Sequence, residues 1–88
     1  MKKARLENWS CGYKFLQGNV YDHPNFVNGK NVHTSKVIGK IGDKVLTKNT
    51  LYLLGEIDPE YERLYPNARE RLFNSLQEVK LCRYQNDC

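Results

Sequence analysis

The residues that could do chemistry are few and lie between Val20 and Gly55. Both histidines of the chain, His23 and His33, fall in this stretch, and Thr34 and Ser35 directly follow His33. Neighbouring strand residues point to opposite faces, so His33 could serve Ser35 as a base but could not easily serve Thr34. No acid partner stands at a recognisable spacing, and no nucleophile-elbow glycine pattern occurs. The sequence therefore predicts no catalytic residues and no enzymatic activity.

Binding of a phosphorylated ligand suits the polar residues better than catalysis. No Walker loop and no GxGxxG motif is present, but hydroxyl and amide groups occur near predicted turns at Thr34, Ser35, Thr47, Asn49 and Thr50. Helix-borne arginines could add bidentate charge, and Tyr21, Phe26 and Tyr52 offer rings on which a base could stack. The predicted ligand-binding residues are Tyr21, Asn25, Phe26, His33, Thr34, Ser35, Thr47, Asn49, Arg69 and Arg71. The alternative is a purely structural role, since Thr and Tyr favour strands for propensity alone.

The cysteines predict neither a metal site nor a cofactor. Cys11, Cys82 and Cys88 form no CxxC pair, and an odd count without a secretion signal favours free thiols in a reducing compartment. The basic N-terminus has no apolar segment after it, and the longest apolar run, residues 51–54, is far shorter than the roughly 20 residues of a membrane span. We therefore expect a cytosolic protein without a membrane partner.

The positive charge of the chain is unevenly distributed. Residues 1–48 carry nine Lys/Arg and three Asp/Glu, whereas residues 49–88 carry five and seven. A basic half of this kind suits an anionic partner such as a nucleotide, a nucleic acid or an acidic protein face. Lysines that only protect exposed strand edges are the alternative.

Turn signals divide the basic half into short apolar runs. Asn28-Gly29, Gly42-Asp43 and Lys48-Asn49 predict reversals, and the runs between them predict strands over 14–22, 32–41, 45–47 and 50–54. We expect a bend or bulge at Gly18 and a bend near Gly39. The predicted fold class is α+β: an antiparallel β-meander of about four strands, open or barrel-like, with a C-terminal helix packed on it.

The second half of the chain predicts helix. Asp58 can cap free amide groups, and Pro59 fits the first helical position. Pro66 predicts either a kink or a short helix near 59–64 followed by a main helix near 66–81. Apolar residues recur at helical spacing as one stripe: Tyr61, Leu64, Tyr65, Ala68, Leu72, Leu76 and Val79. At 88 residues we expect one domain, with a lead-in (1–12), the β-meander (14–55), the helical region (58–81) and a tail (82–88).

A composite pattern along the chain resembles small proteins encoded by phages and prophages. Its parts are Leu6-Glu7-Asn8-Trp9, Leu16-x-Gly18-x-Val20-Tyr21-x-His23-Pro24-x-Phe26, Gly29, Thr34-Ser35, Val45-x-Thr47, Tyr52-x-Leu54-Gly55 and Asp58-Pro59-x-Tyr61. Within that set the chain is most similar to the first-described phage family of Thoeris anti-defence proteins. The resemblance implies a phage protein that sequesters a cyclic ADP-ribose-type immune signal in the host cytosol without cleaving it. It also fits a homo-oligomer, because a small chain could build such pockets between subunits.

Two other functions stay open on the residues alone. One is a protein-binding inhibitor or accessory module that docks on a host defence enzyme through a sheet edge or through the helix face of Arg69 and Arg71. The other is a small basic nucleic-acid-binding protein, for which affinity would fall steeply with salt.

Overall fold

The computed structural model describes residues 2–79 and contains six strands and two short helices. The strands are β1 (Lys2–Cys11), β2 (Leu16–Tyr21), β3 (Lys30–His33), β4 (Val37–Ile41), β5 (Lys44–Thr47) and β6 (Thr50–Leu54), and the helices are α1 (Pro59–Leu64) and α2 (Ala68–Ser75). All six strands form one sheet in the order β3-β2-β1-β6-β5-β4. The α+β class is confirmed, while the prediction of about four strands is too low. Neither described helix is long and apolar enough to cross a membrane.

The first additional strand is β1, which occupies the predicted lead-in. Ala4, Leu6 and Trp9 face the core, and charged residues alternate with the first two. The alternation shifts at Asn8, whose φ is 52°, and the pairing with β2 is irregular between Glu7 and Ser10. This bulge brings Trp9 inward. The irregularity predicted at Gly18 therefore lies on the facing strand, and a Cβ at Gly18 would stand 2.8 Å from the carbonyl oxygen of Glu7.

The second additional strand arises because the predicted strand 32–41 is broken at residues 34–36. Leu16 N donates to Thr34 Oγ1 (2.9 Å), and Thr34 N donates back to Leu16 O (2.8 Å). The three residues 34–36 join β3 to β4, which are opposite edges of the sheet. In a flat sheet these edges would lie about 24 Å apart, well beyond the roughly 14 Å that four extended steps from residue 33 to 37 can reach. The sheet is therefore rolled, although β3 and β4 form no ladder and it does not close.

The core fills the inside of this roll. Leu6, Trp9, Leu16, Val20 and Val45 have no exposed surface. β1 and β6 run parallel, from Lys2 beside Thr50 to Leu6 beside Leu54, and every other strand pair is antiparallel. The parallel pair thus joins two three-stranded meanders, β1–β3 and β4–β6, around one core.

The helical region is shorter than predicted. Asp58 Oδ1 accepts from Glu60 N (3.1 Å), and Pro59 stands at the start of α1, as expected. A break around Pro66 separates the helices, but α2 ends at Ser75 and residues 80–81 lie outside the described part. Leu64 and Tyr65, predicted in the apolar stripe, are 69% and 51% exposed because both lie at this break. Cys82, Cys88 and the predicted tail also lie outside the described residues.

After α2 the chain turns back to the sheet edge. Lys40 N donates to Gln77 O (3.0 Å), and Val79 N donates to Lys40 O (2.8 Å). Gly42 N donates to Glu78 Oε2 (2.9 Å). We call residues 77–79 the C-terminal strap. It covers part of the β4 edge, which would otherwise present free backbone groups.

The strap generates a stability prediction at Gly39. A Cβ at this position would lie 2.5 Å from Val79 Cγ2 and 2.9 Å from Gln77 O. We expect Gly39→Ala to lower the free energy of unfolding by about 1–3 kcal/mol through overpacking. Urea denaturation followed by the fluorescence of buried Trp9 measures it.

The double variant Gly39→Ala/Val79→Ala is the control for this effect. Because it removes the crowded methyl groups, its loss of stability should be smaller than the sum of the two single losses. Wild-type stability of Gly39→Ala would show that the strap does not pack on Gly39.

Candidate ligand-binding site

A polar cavity of about 110 Å³ lies where the 34–36 link, the β2–β3 loop and the β5–β6 turn converge. Its walls are Lys2, His23, Asn25, Phe26, His33, Thr34, Ser35, Asn49, Thr50 and Tyr52. These residues come from four separate parts of the sequence. The roll of the sheet is what brings them together.

Two backbone arrangements place the walls of the cavity. Parallel pairing of β1 with β6 sets Lys2 beside Thr50. Lys48 N donates to Lys36 O (3.1 Å), which holds the β5–β6 turn against the 34–36 link. Ser35 and Asn49, the neighbours of these two lysines, consequently face each other across a hydrogen bond of 3.1 Å.

A chain of hydrogen bonds fixes four side chains of the cavity, which we call its floor: His23, Thr50, Asn49 and Ser35. His23 Nδ1 accepts from Asn25 N (3.0 Å), so the neutral ring carries its proton on Nε2, which lies 3.2 Å from Thr50 Oγ1. Thr50 Oγ1 donates to Asn49 Oδ1 (3.3 Å), and Ser35 Oγ donates to the same oxygen. Both hydroxyl protons thus point at an amide oxygen, which is not a base. This arrangement orients the hydroxyls and does not activate them as nucleophiles.

Aromatic rings form one wall of the cavity. The centre of the Phe26 ring lies 4.7 Å from that of His23. The centre of the Tyr52 ring lies 6.4 Å from that of His23, with 30° between the two ring planes. Burial raises the pKa of Tyr52, so its phenol stays protonated at neutral pH. This wall therefore combines apolar ring faces with a neutral hydroxyl.

The cavity is electrostatically suited to an anion. Its lining includes the ammonium group of Lys2 and two imidazoles, and it includes no carboxylate among the described residues. Burial, together with the nearby charge of Lys2, lowers the pKa of His23 below its ordinary value of 6.5. His23 is then neutral at pH 7, and Lys2 supplies a positive charge at the cavity.

The structure places six of the ten predicted ligand-binding residues in the cavity lining: Asn25, Phe26, His33, Thr34, Ser35 and Asn49. Thr34 is only 9% exposed. Its hydroxyl accepts from Leu16 N and donates to Ser35 O (2.8 Å), so it mainly holds the link. The others present side chains at the surface of the cavity.

The other four predicted residues lie outside the lining. Thr47 is 1% exposed and bonds the backbone of Thr50 from behind. Tyr21 lies under the guanidinium of Arg5, 4.8 Å from it. Arg69 donates to the carbonyls of Leu54 and Gly55 and acts as a clamp on the sheet. Arg71 borders a shallow groove that also includes the half-buried Cys11. Burial raises the pKa of the Cys11 thiol.

Four lining residues, Lys2, His23, Thr50 and Tyr52, fall outside the predicted set. Thr50 and Tyr52 carry the hydroxyl and ring signals used for the others. His23 precedes Pro24 and is thereby held extended, which is a signal for a fixed position. Lys2 has no local signal, because only the pairing of β1 with β6 brings it to the cavity.

No group of three or more His, Cys, Asp or Glu side chains in residues 2–79 is arranged to hold a metal ion. No protein-family model, curated protein or solved structure matches the chain. The function of the cavity is accordingly argued from its own geometry.

The lowered pKa of His23 predicts an acid-sensitive fold. The pKa of His23 is lower in the folded than in the unfolded state. The contribution of neutral His23 to the free energy of unfolding is therefore complete above about pH 6.5 and is lost as the pH falls towards the folded-state pKa. Protonation would also place an N–H at Nδ1 against the N–H of Asn25. We expect urea unfolding of the wild type to show a larger loss of stability between pH 7.5 and 5.5 than that of His23→Gln.

His33→Gln is the matched control, since His33 is exposed. It should keep the pH dependence of the wild type. An identical pH dependence in His23→Gln and the wild type would contradict the role given to the His23 ring.

Proposed function

We propose that the chain is a non-catalytic binding protein that holds a phosphorylated, nucleotide-type ligand by placing a phosphate group in the polar cavity. The observation that carries the proposal is the lining itself: one lysine, two imidazoles, two amides and four hydroxyl-bearing side chains border a small space, with no carboxylate among the described residues. Phosphate oxygens favour several N–H and O–H donors, and more strongly when a donor is charged.

The donors available to a phosphate follow from the hydrogen bonds already made. Asn49 Oδ1 is occupied by two hydroxyl donors, so the amide nitrogen of Asn49 is the group left to donate to a ligand. Lys2 adds a full positive charge from the other side of Thr50. His33 contributes an imidazole at the rim. Together these groups supply charge and direction for one anionic group.

Binding without cleavage is consistent with the hydrogen bonds of His23. The lone pair of His23 at Nδ1 is used by a backbone amide, and its Nε2 faces Thr50 as a donor. It therefore does not stand as a base beside either hydroxyl of the floor. A protein of this kind acts by affinity and stoichiometry.

The specific form that we propose is sequestration of a cyclic ADP-ribose-type signal by a phage anti-defence protein in the host cytosol. At about 110 Å³ the cavity is smaller than the roughly 300–1,000 Å³ typical of pockets for drug-sized ligands. It takes one phosphate group, while the remaining ligand lies against Phe26 and the rim. A second subunit of a homo-oligomer would cover that exposed part.

Calorimetry and ¹⁵N-resolved NMR titrations with inorganic phosphate, AMP and cyclic ADP-ribose test the proposal. We expect amide shifts centred on Ser35, Asn49 and Thr50. Lys2→Ala and Asn49→Ala should each weaken binding roughly tenfold or more, because a hydrogen bond to a charged group contributes about 1.5–3 kcal/mol. Lys44→Ala, a lysine paired with Asp43 outside the cavity, should leave affinity unchanged.

Heating the complex and analysing the released ligand by mass spectrometry tests the non-catalytic part. The expected result is a ligand of unchanged mass. Absence of cavity shifts with all three compounds would contradict phosphate binding, and a cleaved ligand would contradict sequestration.

A further inference from the structure

Exposed aromatic rings lie at the cavity and in the β1–β2 loop beside it. Tyr13 and Phe15 lie in the β1–β2 loop and are 80% and 36% exposed, and Phe26 in the β2–β3 loop is 38% exposed. The ring of Phe15 meets the edge of His33, a lining residue, at 5.4 Å. Phe26 lines the cavity directly. Phe15 and Phe26 therefore extend the aromatic surface outward from the cavity. Val37 N donates to Lys14 O (2.8 Å), which holds the loop of Tyr13 and Lys14 beside the end of the 34–36 link.

Lysines accompany these rings. Lys14 Nζ lies 5.1 Å from the centre of the Tyr13 ring, and Lys30 Nζ lies 5.3 Å from that of Phe26. Lys36 and Lys48 flank the lining residues Ser35 and Asn49 in sequence, and their backbones are hydrogen-bonded to each other. We call this surface the aromatic–lysine rim; its residues are Tyr13, Lys14, Phe15, Phe26, Lys30, Lys36 and Lys48.

Negative charge is sparse around the rim. Asp22 is the one carboxylate adjacent in sequence to a lining residue, and it lies 3.9 Å from a guanidinium nitrogen of Arg5. The acidic residues Glu56, Asp58, Glu60 and Glu62 are instead placed between β6 and the end of α1. The rim with Lys2 therefore presents five lysines to a partner without a matching set of carboxylates.

We propose that the aromatic–lysine rim and the cavity together bind a single-stranded nucleic acid. A backbone phosphate occupies the cavity, unpaired bases stack on the exposed rings, and neighbouring phosphates contact the lysines. This inference rests on the proposed phosphate site and extends the ligand from one nucleotide to a strand.

The combination of rings and lysines selects a single strand over other anions. Base stacking on aromatic side chains needs unpaired bases, whose faces are covered inside a duplex. An acidic protein surface would use the lysines but would leave the rings without a partner. Rings and a lysine alternate along the β1–β2 loop as Tyr13, Lys14 and Phe15, as expected where bases and phosphates alternate along a strand.

Fluorescence anisotropy with labelled dT10, and with a 10-base-pair duplex, over 50–200 mM NaCl tests the inference. Each phosphate contact in a single strand contributes a slope of about −0.7 to log K against log[salt], so up to five lysine contacts predict a slope no steeper than about −3.5. We expect Lys36→Ala/Lys48→Ala to reduce the slope by about 1.4. Phe26→Ala should weaken binding roughly fivefold or more through lost stacking.

Lys3→Ala/Lys44→Ala is the control of equal charge, because both lysines border a different groove with Arg5 and Asp22. It should leave both the affinity and the salt slope unchanged, and thermal melts confirm that all variants are folded. Equal effects of the two double variants, or equal affinity for the duplex, would overturn the inference. Unchanged dT10 binding in Lys2→Ala/Asn49→Ala would remove the cavity from the strand site and overturn it in this form.

The failures of the two proposals can be told apart. If dT10 does not bind while phosphate or cyclic ADP-ribose still shifts the cavity amides, the strand inference is wrong and the phosphate site stands. If no phosphorylated compound shifts those amides, both are wrong.

Discussion

The parallel pairing of β1 with β6 is the interaction on which the rest of the structure depends. Within residues 2–79 it is the ladder that joins the two meanders, since β3 and β4 at the opposite edges form none. Trp9 lies just beyond its end and donates through Nε1 to Gly55 O (3.1 Å). Arg69 donates to the same carbonyl and to Leu54 O, with its guanidinium 5.4 Å from the Trp9 ring. Glu7 also accepts from Glu56 N (2.7 Å). Three side chains, those of Trp9, Arg69 and Glu7, thus bond the backbone where β6 ends.

The cavity is a product of the same pairing and of the short link between β3 and β4. The pairing delivers Lys2 and Thr50, and the link delivers Ser35 across from Asn49. In the floor, the hydroxyls of Ser35 and Thr50 both donate to the amide oxygen of Asn49. Both ring nitrogens of His23 are hydrogen-bonded as well. These hydrogen bonds fix the orientations of the side chains of the floor.

Part of this arrangement could be predicted from the sequence because its signals are local. Strand β6, the cap at Asp58 and the break near Pro66 follow from turn chemistry and backbone restriction. Five of the six predicted ligand residues in the cavity lining lie in turns, loops or the link, and the sixth, His33, ends strand β3 directly before the link. Arg69 shows the limit: its sequence position is that of a solvated helix arginine, yet it clamps the carbonyls of Leu54 and Gly55.

The rest could not be predicted because it depends on long-range register. β1 contains Lys2, Lys3, Arg5 and Glu7, whose charges hide its alternation, and the bulge at Asn8 breaks the period. The division of residues 32–41 into two strands depends on Thr34 bonding to Leu16, eighteen positions away. No local sequence pattern predicts the bulge at Asn8 or the hydrogen bond between Thr34 and Leu16.

The parallel pairing also has a consequence for how the chain folds. β1 is synthesised before its partner β6, which begins at Thr50, so a long loop must close before this ladder can form. Non-local pairings of this kind slow folding, because the loss of chain entropy precedes the gain from contacts. Meanwhile the β1–β3 meander can form with one side of β1 uncovered. The basic residues Lys2, Lys3 and Arg5 in β1 make this open strand edge a poor template for pairing with another chain. They thereby limit aggregation before β6 pairs with β1.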